Sequence, residues 1–95
     1  MDKKYLIQVV FTEMGKKKKK TGYLNYAWLK EMYYLSYGLL SCGYTFNFEE
    51  AALDEIMQNK EYIIEDIESI NDRKIVSMQI VRVQAEIIEH RTVEL

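Results

Sequence analysis

Apolar and aromatic positions dominate the first segment of the chain and are interrupted only by Gln8 and Thr12. The segment from Tyr5 to Thr12 is rich in valine, isoleucine and aromatic residues, and it ends shortly before Gly15, a residue typical of turns. One face of this strand is wholly apolar or aromatic and carries Tyr5, Ile7, Val9 and Phe11. Since successive side chains of a strand point to opposite faces, we predict that this face is buried.

The segment from Asn25 to Ser41 has apolar residues at intervals of three and four, which is the spacing of an amphipathic helix. Its core-facing stripe would carry Trp28, Met32, Leu35 and Leu39, with Leu29 and Leu40 beside it. Asn25 is a suitable N-cap, and Gly43 is a suitable stop signal. The pattern therefore predicts a helix over residues 25–41.

A second helix is predicted to begin near Phe48, with Asn47 as its N-cap. Its apolar positions are Ala52, Leu53, Ile56 and Met57. Two interpretations of its end are open. Ile63, Ile67 and Ile70 continue the helical period, whereas the turn dipeptide Asn71-Asp72 separates two segments rich in β-branched residues. The second interpretation makes residues 62–70 and 75–83 the strands of a hairpin, and we favour it.

Residues 75–88 are predicted to form the longest strand, but the alternation of apolar residues changes frame near Ile80. A β-bulge near that residue, or a break into two strands, would explain the change. A C-terminal helix from about residue 79 is the alternative.

Together these elements predict a single domain over residues 1–95, a length that supports one hydrophobic core. The expected fold class is α+β, with a small, mostly antiparallel sheet of about three strands and two helices packed on one face. The apolar segment near the start is too short for an ordinary signal peptide or a membrane span. We therefore expect a cytoplasmic protein that has no membrane partner.

Charge is divided unevenly between the halves of the chain. Residues 1–48 carry eight lysines against three acidic residues, a net charge of +5, and residues 49–95 carry five basic and twelve acidic residues, a net charge of −7. Five consecutive lysines lie between Gly15 and Thr21. Because like charges repel, we predict a mobile basic loop over residues 15–22. The two halves either form oppositely charged faces or pair with each other and cancel.

Lysine ammonium groups beside tyrosine rings suit the phosphates and bases of a nucleic acid or a nucleotide, which gives one function hypothesis. The candidate phosphate-binding residues are Lys16, Lys17, Lys18, Lys19, Lys20 and Tyr23. The segment is not a P-loop, because that motif requires glycine directly before its Lys-Thr pair, and this chain has Lys19 there. A solubilising hairpin tip is the alternative that needs no ligand.

Tyrosines on the first predicted helix give a second hypothesis, because tyrosine buries a large ring while its hydroxyl stays hydrated, as protein interfaces require. Tyr26, Lys30, Tyr33 and Tyr37 follow one another at intervals of four, three and four residues, which would place them on one stripe. With two acidic residues of the second helix, the candidate partner-binding set is Tyr26, Lys30, Tyr33, Tyr37, Glu50 and Asp54. A homodimer centred on Tyr26, Tyr33 and Tyr37 would set the positive half of each copy against the negative half of the other.

Groups that could carry catalysis are scarce. Cys42 is the only cysteine and His90 the only histidine, and neither belongs to a zinc-ligand spacing or a nucleophile signature. We expect no catalytic residue, no metal site, no cofactor and no enzymatic activity. The leading hypothesis is a small protein-binding modulator or inhibitor that uses the tyrosine stripe and the acidic helix. A phage-encoded anti-defence protein would fit this small size, acidity and fold class.

Overall fold

The computed structural model describes residues 4–38, 44–70, 72–83 and 87–95, and for residues 87–90 it describes the backbone only. Within these residues, five antiparallel strands form one sheet in the order β3-β2-β1-β4-β5, and one helix packs across its face. The elements are β1 (Lys4–Glu13), β2 (Lys20–Ala27), β3 (Met32–Ser36), α1 (Glu49–Glu68), β4 (Arg73–Val83) and β5 (Ile87–Val93). The predicted fold class, with two helices on a sheet of about three strands, is therefore wrong.

The first strand is the centre of the sheet and carries the predicted buried face. Val9 lies between Gly22 of β2 and Met78 of β4, and its side chain is fully buried. Ile7 and Phe11 are equally buried in the core between the sheet and α1. The prediction of a buried apolar face on this strand is thus confirmed for these residues.

The helix predicted over residues 25–41 is wrong, because residues 25–36 continue β2, turn, and return as β3. Leu39, Leu40 and Ser41 lie outside the described residues. Leu24 and Leu35 pair across the two strands and point into the core. Trp28 and Leu29, which the helical spacing placed in the core, lie in the turn and are 75% and 102% exposed. The many tyrosines favour strands, and an alternating pattern interrupted by a turn produced an accidental helical spacing.

Helix α1 begins where the sequence predicted, but Asn47 is not its cap. Phe48 occupies the N-cap position in an extended conformation and makes no side-chain capping bond. The helix continues to Glu68, so the longer-helix interpretation is correct and the hairpin that we favoured is wrong. Its buried stripe is Ala52, Ile56, Ile63 and Ile67. Burial of this face outweighs the modest cost of β-branched residues in a helix.

The C-terminal segment is broken into β4 and β5, and a helix from residue 79 is wrong. The register of β4 is irregular in two places, between Ile75 and Ser77 where it pairs with β1, and between Arg82 and Val83 where it pairs with β5, whereas the pairing is regular at Ile80. The frame of the apolar pattern changes because Ile80 faces α1, whereas Val81 and Val83 pack with Leu6 in a second cluster. Since Leu6 and Val81 pair across β1 and β4, this cluster lies on the opposite face of the sheet.

Strand β2 starts at Lys20, so the connection from β1 spans residues 14–19, a shorter loop than the predicted 15–22. Between β3 and α1, Phe46 pairs with Tyr5 through two backbone hydrogen bonds of 2.9 Å. Within the described residues, no helix has both the length and the apolar character that a membrane crossing requires.

Candidate binding cleft

An open cleft of about 480 Å³ lies between α1 and the hairpin that β2 and β3 form. Its aromatic lining consists of Tyr26, Trp28, Tyr33, Tyr44 and Tyr62. Carboxylates of Glu31, Glu55 and Asp66 and the amide of Asn59 complete the lining. The cleft thus combines flat apolar surfaces with negative charge, and none of the described residues that line it is basic.

Strand pairing positions the rings of one wall. Tyr26 and Tyr33 are direct cross-strand partners, and their ring centroids are 4.9 Å apart at an interplanar angle of 64°. Trp28, in the turn, meets Tyr26 at 4.8 Å and 77°. Such edge-to-face contacts are favourable because the positive edge of one ring meets the negative face of the other. The rings therefore form a corner with walls in different orientations.

The opposite wall is a stripe of α1 that lies beside its buried face. Glu55, Asn59, Tyr62 and Asp66 follow one another at intervals of four, three and four residues, so they share one side of the helix. Tyr62 is 65% exposed and lies at the mouth of the cleft. The stripe exists because the helix continues through Glu68, whereas the hairpin interpretation would have placed Tyr62 and Asp66 in a strand.

Glu55 is the hydrogen-bonding centre of the cleft. Its Oε1 atom accepts hydrogen bonds from the hydroxyl groups of both Tyr33 and Tyr44, each at 2.5 Å. The backbone N–H of Tyr33 donates to Oδ2 of Asp66 at 3.0 Å, so the helix also satisfies a backbone group of the edge strand β3. These bonds tie the hairpin to α1 and fix the shape of the cleft.

Both tyrosine hydroxyls of this centre remain protonated far above neutral pH. Burial raises the pKa of Tyr33 well above its ordinary value, and its hydrogen bond to the Glu55 carboxylate raises it further. The pKa of Tyr44 is raised by the same two causes, burial first. Both groups are therefore hydrogen-bond donors, and neither is a base or a phenolate nucleophile near neutral pH.

Glu31 has an unusual backbone conformation at the rim of the cleft. Its φ of 51° lies in the left-handed region that favours glycine. It follows the turn in which the N–H of Lys30 donates to the carbonyl of Ala27 at 3.2 Å. The turn thus carries an acidic side chain at a position where glycine would be less strained.

The structure separates the predicted partner-binding residues. Tyr26 and Tyr33 line the cleft, whereas Lys30 is exposed in the turn beside it. The hydroxyl of Tyr37 accepts a hydrogen bond from Arg73, and its ring contacts Phe11. On α1, Glu50 lies near Arg91 at 3.8 Å, and Asp54 is exposed. Because residues 25–38 are not helical, the predicted tyrosine stripe does not exist.

The predicted phosphate-binding residues are also divided. Nζ of Lys20 lies 2.7 Å from Glu13, and Nζ of Lys16 lies 3.6 Å from it. The hydrogen bond from Lys20 is the main reason that the pKa of Glu13 is lowered. Lys17, Lys18 and Lys19 are exposed at the tip of the loop, and they form no ion pair with the described residues.

Tyr23 does not join the lysine loop. It lies three residues along β2 from Lys20 and packs against the second apolar cluster, on the face of the sheet opposite α1. Its hydroxyl accepts a hydrogen bond of 3.4 Å from Nε2 of Gln8.

Several cleft residues were missed by the sequence analysis, which assigned Trp28 to the core. The others are Glu31, Tyr44, Glu55, Asn59, Tyr62 and Asp66. The helical spacing of Glu55, Tyr62 and Asp66 was the one available signal, because their meeting with β3 depends on long-range pairing.

Cys42 lies outside the described residues, and the side chain of His90 is likewise outside them. In the part of the chain that is described, no cluster of histidine, cysteine or acidic residues is arranged to hold a metal ion. In comparisons with known proteins, the chain matches no family model, no curated protein and no solved structure at a significant level.

Proposed function

We propose that this protein is a non-enzymatic binding protein that modulates a protein partner, and that the partner docks at the cleft between the β2–β3 hairpin and α1. The observation that supports this most is the meeting of aromatic rings with the acidic side of α1 in one open cleft. Trp28 and Tyr62 offer large exposed rings at its mouth. Aromatic side chains of this kind are enriched at the centres of protein interfaces.

The chemistry of the cleft favours binding over catalysis. Its titratable groups are tyrosines and carboxylates, and Tyr33 and Tyr44 hold their protons because their pKa values are raised. Glu55 is engaged by the hydroxyls of Tyr33 and Tyr44, which stabilises the walls. A pre-formed cleft lowers the ordering cost of association.

The test is capture of a partner from a lysate of the organism that encodes the chain, after nuclease treatment. The cleft variant Trp28→Ala/Tyr62→Ala removes two exposed rings from the mouth. Its matched control, Leu29→Ala/Phe48→Ala, removes two exposed apolar side chains that do not line the cleft. We expect the control to retain the proteins that the parent captures and the cleft variant to lose them, with equal melting temperatures. Equal capture by both variants, or no captured protein, would overturn the proposal.

Binding of polyanions by the lysine loop is a second candidate function. It is favoured by the exposure of Lys17, Lys18 and Lys19 at the loop tip, where none of the three pairs with a described carboxylate. Replacing these three lysines by serine should remove about two units from the slope of log affinity for single-stranded DNA against log salt, if all three contact phosphates. An absence of DNA binding by the parent at low salt would exclude this function.

A further inference from the structure

The negative charge of the cleft is available to a ligand, although its carboxylates are partly engaged. Both tyrosine bonds go to Oε1 of Glu55, and the bond from Tyr33 N–H goes to Oδ2 of Asp66. A carboxylate offers about four lone-pair sites, so each retains accepting capacity. The Glu31 side chain forms no hydrogen bond or ion pair with the described residues.

Ring geometry adds a preference for positive charge. The face of an aromatic ring is the negative part of its quadrupole, and tryptophan attracts cations most strongly. Trp28 and Tyr26 meet almost at right angles, so a group in the corner between them can approach one ring by its face. The exposed Tyr62 stands on the helical wall of the same cleft. A cation there would meet rings and carboxylates together.

Among cationic side chains, arginine fits this arrangement best. The guanidinium group is planar and weakly hydrated, so it stacks on an aromatic face while its five N–H donors reach acceptors at its edge. The acceptors here belong to Glu31, on the hairpin, and to Glu55 and Asp66, on the helix. A planar group with several donors can form hydrogen bonds to acceptors on both walls at once, whereas an ammonium group is a compact point charge.

We propose that the cleft binds the guanidinium group of an arginine side chain that a partner protein presents. This inference rests on the proposed function and specifies its chemistry. The ring of Trp28 or Tyr62 stacks on the guanidinium plane, and the carboxylates of Glu31 and Asp66 accept its edge donors. Glu55 holds the walls in place and adds negative charge at the base of the site.

Trp28 is the only tryptophan of the chain, so its fluorescence reports directly on the cleft. The probes are capped Gly-X-Gly peptides in which X is arginine, citrulline, lysine or trimethyl-lysine. We expect a saturable change with the arginine peptide at a dissociation constant on the order of 1 mM or tighter. Citrulline has the same shape without the charge and should bind at least about tenfold more weakly.

Two matched variants locate the binding. Glu31→Gln, at the rim, should weaken the arginine peptide about tenfold without lowering the melting temperature. Glu65→Gln removes a charge from an exposed position of α1 that does not line the cleft, and it should leave the affinity unchanged.

Equal binding of arginine and citrulline, or no saturable response, would overturn the inference, and tighter binding of trimethyl-lysine would overturn the assignment to arginine. The proposed function is judged separately by lysate capture. If the Trp28→Ala/Tyr62→Ala variant no longer captures the partner, and the arginine peptide gives no fluorescence change, the proposed function stands and only this inference is overturned.

Discussion

A single carboxylate oxygen of Glu55 links α1 to β3 and to the segment between β3 and α1 that contains Tyr44. Tyr33 belongs to β3, Tyr44 precedes the bridge between Phe46 and Tyr5, and Glu55 is on α1. Hydrogen bonds to a charged acceptor are roughly twice as strong as those between neutral groups. Tyr33 is only 5% exposed, so loss of its hydroxyl partner would leave a nearly buried polar group unsatisfied.

The two tyrosines of this centre predict a fall in stability at high pH. Their pKa values are raised in the folded state, while in the unfolded chain a tyrosine loses its proton near pH 10. Above that pH the folded state binds more protons than the unfolded state, so unfolding releases protons. The stabilisation is complete below about pH 10. Above that pH, each of the two tyrosines lowers the free energy of unfolding by about 1.4 kcal/mol per pH unit until the pH reaches its pKa in the folded state.

Thermal unfolding between pH 8 and about pH 12 measures this effect. Tyr33→Phe should make the decline above pH 10 shallower, although the variant is less stable than the parent at pH 8. Tyr34→Phe, a change at an exposed ring that pairs with Asn25 on the other face of the sheet, is the control and should keep the parental slope. Identical slopes for all three proteins would contradict the assignment.

The buried face of β1 yields a prediction about folding. Val9 is fully enclosed by the core, so Val9→Asp would place a charge there without a partner, and we expect no cooperative thermal transition. The neighbouring Val10 is half-buried on the other face, and Val10→Asp should be milder. Val9→Ala, which only leaves a cavity, should cost about 2 kcal/mol and remain cooperative. A cooperative transition near the parental temperature for Val9→Asp would refute the burial of this face.

Elements were predictable where one period persists over the whole element. Strand β1 keeps one wholly apolar face at a period of two, through Ile7, Val9 and Phe11, and is the centre of the observed sheet. The segment from Asn25 to Ser41 instead contains a turn, and counting apolar residues across that turn generated a false helical period. For α1, local β-propensity favoured strands over residues 62–70, but Ile63 and Ile67 extend the stripe that Ala52 and Ile56 begin. Tertiary burial decided that competition.

The cleft was less predictable than the elements, for a physical reason. Tyr26 and Tyr33 were identified as candidate binding residues, but through a helix that does not exist. In the sequence, Glu55 is 22 positions from Tyr33, and Asp66 is 33 positions from it. Neither contact therefore follows from a local period. Only the sheet order and the crossing of α1 over β3 bring them together.

The turn between β2 and β3 allows binding to be separated from stability. Glu31→Gly relieves the left-handed strain, and we expect a gain of roughly 0.5 kcal/mol after the added flexibility of the unfolded chain is deducted. The same variant removes a carboxylate from the rim, so arginine binding should weaken. Asp72 has the same φ of 51° but lies outside the cleft, and Asp72→Gly is the control for strain alone.

Melting curves measure the effect of Glu31→Gly on stability, and titration of the Trp28 fluorescence with the arginine peptide measures its effect on binding. A loss of stability by 1 kcal/mol or more, beyond the change in the Asp72→Gly control, would show that the Glu31 side chain holds the turn. Unchanged arginine binding would argue against a role for this carboxylate.

At the scale of the molecule, the uneven charge of the chain has a definite location. Helix α1 carries eight acidic residues and one lysine, a net charge of −7. The five lysines extend from the loop between β1 and β2 into the start of β2. Lys16 and Lys20 pair with Glu13 of their own half, and Arg91 pairs with Glu49 of its own half at 3.3 Å. These ion pairs do not neutralise one half of the chain with the other.

This separation of charge keeps the homodimer as a prediction but changes how it must be tested. A two-fold pair could set α1 of each copy against the lysine loop of the other, which satisfies the charge twice. Such a dimer should weaken as salt screens the surface charges. Tyr33→Ala is unsuitable as a probe, because that ring is nearly buried and its loss would damage the core.

We therefore expect light scattering at micromolar concentration and low salt to give twice the chain mass of 11.3 kDa, and to give the monomer mass at high salt. Replacing Lys17, Lys18 and Lys19 by serine should shift the equilibrium toward monomer while leaving stability within about 0.5 kcal/mol, since these residues are exposed. The Trp28→Ala variant tests whether the cleft is part of the dimer interface. If this variant is still a dimer, the cleft remains available to another protein. A monomer mass for the parent at low salt would end the dimer prediction, and the acidic helix and the lysine loop would then remain as separate surfaces.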